Sequence, residues 1–137
     1  MMNKSANLLI VDDDERFCRM LGRYLKREGF QIRTATDGAI MWHLMKDTLP
    51  ELIILDLKLP GVDGITLARE LRIKYPPIGI VILTAKDDIK DTIIGLEVGA
   101  DDYVTKPFDN RVLVARIRSV LRRLPNSEND EEKYVYS

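Results

Sequence analysis

Residues 51–64, ELIILDLKLPGVDG, constrain the fold more than any other part of the chain. Leu52 to Leu55 form an unbroken apolar run with no alternation. A strand wetted on one face would alternate, so this run suits a parallel sheet covered on both faces. The run stops at Asp56, and Pro60-Gly61 and Asp63-Gly64 then supply turn chemistry. Open α/β sheets bind their ligands outside the carboxyl ends of the strands. Asp56 is therefore either an ordinary strand-ending residue or a site carboxylate, and the other strand ends decide between the two.

The pattern recurs along the chain. Residues 8–11 (LLIV) are followed at once by Asp12, Asp13, Asp14 and Glu15. A helix then runs to about Glu28, with Phe17, Leu21 and Leu25 at i, i+4 and i+8, and Gly29 stops it. Residues 30–36 read as a weaker strand, and 39–48 as a helix closed by Pro50. A third helix covers 64–74 with Leu67 and Leu71 facing inward, and a fourth strand covers 78–83, finishing at Thr84. In the helix expected over 87–98, Ile89, Ile93 and Leu96 share one side while Ile94 and Val98 fall nearly opposite, which calls for a partner on each side. Residues 102–105 make a short strand before Lys106-Pro107. The last helix, 109–123, turns Leu113, Ile117, Val120 and Leu121 inward and Arg111, Arg116, Arg118, Arg122 and Arg123 outward. Alternating strands and helices imply an α/β fold, a parallel sheet with right-handed crossovers and helices on both faces.

A chain of 137 residues suffices for one domain with a real core. Its formal charge of -1 argues neither for a nucleic-acid binder nor for a disordered acidic protein. Cys18 is the sole cysteine, so no internal disulfide can form, and its place on a helical pattern suits packing. No apolar run approaches membrane-spanning length and residues 1–7 lack a signal-peptide core, so a soluble, cytoplasmic protein is expected. From Leu124 onward, LPNSENDEEKYVYS is polar and acidic without periodicity, a linker or tail.

Asp12-Asp13, Asp56, Thr84 and Lys106 each end a strand, and in a parallel sheet those ends share one edge. Clustered carboxylates raise one another's pKa unless a cation intervenes, and hard oxygen ligands suit Mg²⁺. A lysine and a hydroxyl opposite suit an anion, of which phosphoryl is the smallest that all three recognise. An aspartate can itself be the nucleophile, giving an acyl phosphate. Singly, each element has a plainer reading: Asp12 to Asp14 as helix N-terminal acids, Thr84 as a strand terminus, Lys106-Pro107 as a turn.

Together LLIVDDDE, ELIILDLKLPGVDG, VILTAK and GADDYVTKPF closely resemble the signature stretches of bacterial two-component response-regulator receiver domains, from Leu8 to about Leu124. The resemblance implies a flavodoxin-like, doubly wound (βα)5 fold with strand order 2-1-3-4-5. It implies that Asp56 accepts a phosphoryl group from a sensor histidine kinase. Asp13 would ligate Mg²⁺ directly, Asp12 through water, with Asp56 and the Lys58 backbone carbonyl completing the protein ligands. Lys106 and Thr84 would hold the phosphoryl oxygens, and the Lys106–Pro107 bond is typically cis. Tyr103 would rotate as Thr84 shifts, unless it is simply a half-buried strand tyrosine. Lys58 and Lys86 flank the water's approach and bear on the phosphoryl lifetime.

GLEVGADDYVTKPF followed by VARIRSVLRR resembles the winged-helix (OmpR/PhoB-like) transcription factors. That implies a receiver domain over 1–124 and, over 125–137, a linker toward a DNA-binding output domain. The chain itself has no recognition helix and is not expected to read DNA; it is expected to be either a stand-alone receiver or the N-terminal part of such a transcription factor. In that subfamily the face formed by helix four, strand five and helix five dimerises symmetrically on phosphorylation. The crossed pairs would be Asp102 with Arg116, Glu97 with Arg118 and Asp101 with Arg123, although such charges can also solvate the surface or bridge within one chain. Thr92 and Val112 stand where the subfamily usually has opposite charges. Haloacid-dehalogenase-like phosphohydrolases share the Asp, Thr, Lys and Mg²⁺ set, but need an acid two residues after the nucleophile, where this chain has Lys58. A switch is therefore expected, not an enzyme.

Overall fold

Strands and helices alternate strictly: β1 (Asn7–Val11), α1 (Glu15–Arg27), β2 (Gln31–Ala35), α2 (Gly38–Asp47), β3 (Leu52–Asp56), α3 (Gly64–Lys74), β4 (Gly79–Ala85), α4 (Ile89–Glu97), β5 (Asp102–Lys106) and α5 (Asn110–Arg123). The structure, a computed structural model, describes residues 5–61, 63–85 and 89–125. Lys86, the expected helix start at Asp87, the side chains of Ile89 and Thr92, and residues 126–137 of the expected tail lie outside the described residues.

The sheet order is β2-β1-β3-β4-β5, and all of its pairings are parallel. Successive residues of a strand face opposite sides, which explains the unbroken apolar runs. Leu8, Ile10, Leu52, Ile54, Val81 and Leu83 pack against Leu21, Leu25, Leu113 and Ile117 of α1 and α5. Leu9, Val11, Ile53, Leu55, Ile80 and Ile82 pack against Met41, Met45, Leu67 and Leu71 of α2 and α3. The order reverses between β1 and β3, so the crevice that such sheets use for ligands opens beside the ends of those two strands.

Local chemistry sets the helix starts. Asp14, Asp37, Asp63 and Asp109 cap α1, α2, α3 and α5, each accepting a backbone N–H from the first turn. The acidic run after β1 is thus divided, Asp14 serving the helix. At the β3–α3 turn, a Cβ on Gly64 would stand 2.5 Å from Leu57 Cα and 2.6 Å from the Asp56 carbonyl oxygen. Glycine there lets α3 begin directly against the backbone that carries Asp56.

The β4–β5 ladder continues through Thr84↔Thr105 to Ala85↔Lys106, so Thr84 lies one residue inside the end of β4, while Lys106 is the last residue of β5, the strand-end position read from the sequence. In α4 the residue against the sheet is Gly95, whose Cβ would meet Ile82 Cδ1 at 2.5 Å. Ile93, Ile94 and Leu96 are 51%, 40% and 39% exposed, while Val98 packs against the core, so among the described residues the helix covers one apolar side within the chain.

Candidate functional site

The carboxyl edge of β1, β3 and β5 brings one ammonium to a group of acids. Lys106 Nζ donates to Asp12 Oδ2 at 2.7 Å and to Asp56 Oδ2 at 3.4 Å. Asp12 is only 1% exposed, and its other oxygen accepts the Asp14 N–H at 3.0 Å. The Asp56 Oδ1 atom accepts the Lys58 N–H at 3.0 Å. Asp12, Asp13 and Asp56 each offer an oxygen within 4.8 Å of the others. Asp13 is exposed at the mouth, beside a cleft of about 840 Å³ lined by Leu57, Lys58, Asp63, Arg69 and Ile94 among others. Hard, closely spaced oxygens with one open side suit Mg²⁺, which keeps part of its water shell.

Burial pushes the Asp56 carboxyl above the usual carboxylate range; the nearby Asp12 adds to the rise, while the Lys58 N–H and Lys106 oppose it. Burial alone would lower the Lys106 pKa. Its hydrogen bond to Asp12 and the charges of Asp12 and Asp56 outweigh this, and the net shift is upward. Cys18 is buried beneath the site and donates from Sγ to the Asp12 carbonyl oxygen at 3.3 Å. Burial, with Asp12 and Asp14 nearby, pushes its thiol up to about 11, which fits a packing role and not a reactive one.

Thr84 is buried at the same edge of β4, and its hydroxyl donates to the Ala85 carbonyl oxygen at 3.4 Å. Tyr103 lies on β5, 38% exposed, paired in register with Ile82. The Lys106–Pro107 peptide is cis. Two features are not apparent from strand ends. The Lys106 ammonium lies over the Phe17 ring, 4.3 Å from its centroid, though Phe17 reads in sequence only as part of a helical stripe. Arg72 donates to the carbonyl oxygens of Gly99, Pro76 and Ile78 and to Asp101 Oδ2, tying α3 to the α4–β5 connection.

Most of the expected interface charges are already engaged within the chain. Asp101 accepts from Arg72 and from the Ile80 N–H, both at 2.8 Å. Asp102 meets Arg116 at 3.1 Å, and Arg118 meets Glu28 at 3.3 Å. Arg123 Nε donates to the Ser119 carbonyl oxygen, and Glu97 is exposed at the end of α4.

A five-stranded parallel sheet in this order, with paired acids, a third aspartate and a lysine at its carboxyl edge, defines a receiver-type signalling domain. The response regulator receiver domain family matches residues 8–118, and the chain belongs to that family. It is 43% identical over 136 residues to Protein PetR of Rhodobacter capsulatus, covering 98% of this chain and 57% of PetR. The chain thus spans little more than half the length of that relative. A Chloroflexus aurantiacus chain assigned as a response regulator superposes with a TM-score of 0.83 at 39% identity, covering 88% of this chain and all 100% of that one. DrrB, a Thermotoga maritima OmpR/PhoB homolog, superposes with a TM-score of 0.78 at 29% identity over 88% of this chain and 54% of its own. Its BeF3-activated receiver domain superposes with a TM-score of 0.79 at 29% identity, over 88% of this chain and 100% of that one. As expected from sequence, no helix among the described residues is long and apolar enough to cross a membrane.

Proposed function

We propose that this domain is a phosphorylation-controlled switch in which Asp56 accepts a phosphoryl group from a sensor histidine kinase. The observation that carries the proposal is the Lys106 ammonium shared between Asp12 and Asp56 at the carboxyl edge of the sheet. An Asp56 carboxylate oxygen attacks phosphorus, the phosphorus–nitrogen bond of the phosphohistidine breaks, and the departing imidazole takes a proton. Asp12, Asp13, Asp56 and the Lys58 backbone carbonyl would hold Mg²⁺, which when bound neutralises charge on the transferring oxygens. Lys106 then exchanges its carboxylate partners for phosphoryl oxygens, and the Thr84 hydroxyl turns toward them with Tyr103 following. Burial of Asp56 favours this chemistry, because the ionised carboxylate is poorly solvated and gains by sharing its charge with an electrophile.

Stoichiometry separates a switch from a hydrolase. With acetyl phosphate and Mg²⁺, intact-mass measurement is expected to show about one phosphoryl group per chain, released slowly. Continuous release of phosphate over many turnovers would favour the hydrolase.

The output follows from the α4–β5–α5 face. Exposed Ile93, Ile94 and Leu96 supply apolar area there, and the domain is proposed to dimerise through it on phosphorylation. Residues 125–137 would lead to a DNA-binding domain in a longer cytoplasmic regulator, consistent with the greater length of PetR. Of the three crossed pairs, Asp102–Arg116 would need the least rearrangement: the two already pair with each other within the chain and would only exchange partners across the twofold, whereas Asp101 and Arg118 are held by other residues. An exposed pair contributes roughly 0–1 kcal/mol, counted twice by symmetry. Asp102→Arg and Arg116→Asp should each weaken the phosphorylated dimer in sedimentation, and the double variant should recover much of it. A double variant as monomeric as either single one would remove the pair from the interface.

A further inference from the structure

We propose that Phe17 is a positioning residue for Lys106, its ring holding the ammonium over the site while the hydrogen-bond partners change. The proposal deepens the phosphoacceptor reading above and rests on it. Lys106 Nζ lies 4.3 Å from the Phe17 centroid, on top of its contacts to Asp12 and Asp56. The ring is itself fixed. Phe108 meets it edge to face at 6.1 Å and 84°, and the Asp14 cap accepts the Phe17 N–H at 3.1 Å. Phe17 also packs against the buried core shared by α1 and α5. The acidic run after β1 therefore offers Asp12 and Asp13 to the site and, through Asp14, sets the ring that faces Lys106.

The physical distinction lies in directionality. Hydrogen bonds from Lys106 to carboxylate oxygens weaken steeply with misalignment. Attraction between the ammonium and the ring quadrupole survives rotation of the ammonium and is stronger when water is excluded. The ring thus keeps Lys106 in place and partly dry as its donors pass from Asp12 toward an anion on Asp56. Neither carboxylate can do this, because each must release the ammonium for the exchange to occur.

The test is the affinity for beryllofluoride, an analogue of the phosphoryl group, at saturating Mg²⁺, followed by ¹⁹F NMR. Phe17→Leu is expected to weaken binding about 3- to 10-fold, a cation–π effect, whereas Phe17→Tyr, which keeps the ring, should stay within about twofold of wild type. Phe17→Met serves as a second ringless variant should leucine pack poorly. In a Lys106→Met background Phe17→Leu should cost nothing further, because the two residues act on one interaction. Mg²⁺ affinity should be unchanged by Phe17→Leu. Wild-type affinity in both ringless variants, or an equal loss with and without Lys106, would overturn the positioning role alone. Failure of the wild type to bind beryllofluoride, or equal binding by Asp56→Asn, would instead overturn the phosphoacceptor reading and this proposal with it.

Discussion

Lys106→Ala is expected to destabilise the metal-free protein by about 3 kcal/mol. Asp12 is almost fully buried and its Oδ2 sits 2.7 Å from the ammonium. Removing that partner strands a buried carboxylate beside two others, which typically costs about 3–5 kcal/mol. Partial exposure of the lysine, 31%, admits some water and favours the lower end. A lysine that served only the phosphoryl group would leave the unphosphorylated fold little changed when removed, but the resting lysine is already the counter-ion of Asp12. Its raised pKa means that the pair's contribution is complete below the ordinary lysine value of 10.5 and is lost as pH rises through the raised value. Urea denaturation at neutral pH should show the loss, and Mg²⁺ should restore much of it by binding the folded state. Asp56 should still accept a phosphoryl group in this variant, with phosphorylation-linked dimerisation impaired. A stability within about 0.5 kcal/mol of wild type, the range of an ordinary surface substitution, would contradict the assignment.

Asp56→Asn should have the opposite effect on the same fold, raising metal-free stability by about 1 kcal/mol and the melting temperature by about 4 °C. Burial holds the Asp56 pKa above the carboxylate value of 3.8, so the folded state takes its proton more readily than the unfolded chain does. Stability therefore falls as pH rises from that ordinary value through the raised one, and the full cost is present at neutral pH. Asparagine keeps an oxygen for the Lys58 N–H and removes the charge. Its advantage should be present at pH 7 and vanish below the carboxylate range. Added Mg²⁺ should reverse the order by favouring the ionised aspartate. A lower melting temperature for the variant at pH 7 without metal would count against a destabilised carboxylate.

Sequence and structure agree where one local rule decides. Unbroken apolar runs mark β1, β3 and β4, whose residues are buried alternately on two faces. Strand-end chemistry brings Asp12, Asp13, Asp56 and Lys106 together, because parallel pairing forces those ends to one edge. What was not legible depends on reach between side chains of different elements. Asp12, Asp13 and Asp14 all read alike as helix N-terminal acids, and only the geometry separates Asp14, which caps the Phe17 N–H, from the other two. Asp101 is an interface candidate through the subfamily resemblance, and nothing in its local sequence shows that Arg72, 29 residues earlier, reaches it. Ile93 and Leu96 on one side of α4 and Ile94 and Val98 on the other call for a partner on each side, but the pattern does not say that Gly95 takes the position against the sheet and leaves Ile93, Ile94 and Leu96 exposed. No periodicity in one helix reports a long arginine on another.

The central claim is that the phosphoryl group is carried by the Asp56 carboxylate. Acyl phosphates are reduced by borohydride, which converts a phosphorylated aspartate to homoserine. Protein treated with acetyl phosphate and Mg²⁺, then with borohydride, should yield homoserine at position 56 by peptide mass spectrometry, and none when Mg²⁺ is chelated. Asp56→Asn should give no homoserine at any position. Homoserine at Asp12 or Asp13 in the wild type, or equal phosphoryl labelling of wild type and Asp56→Asn, would contradict the account.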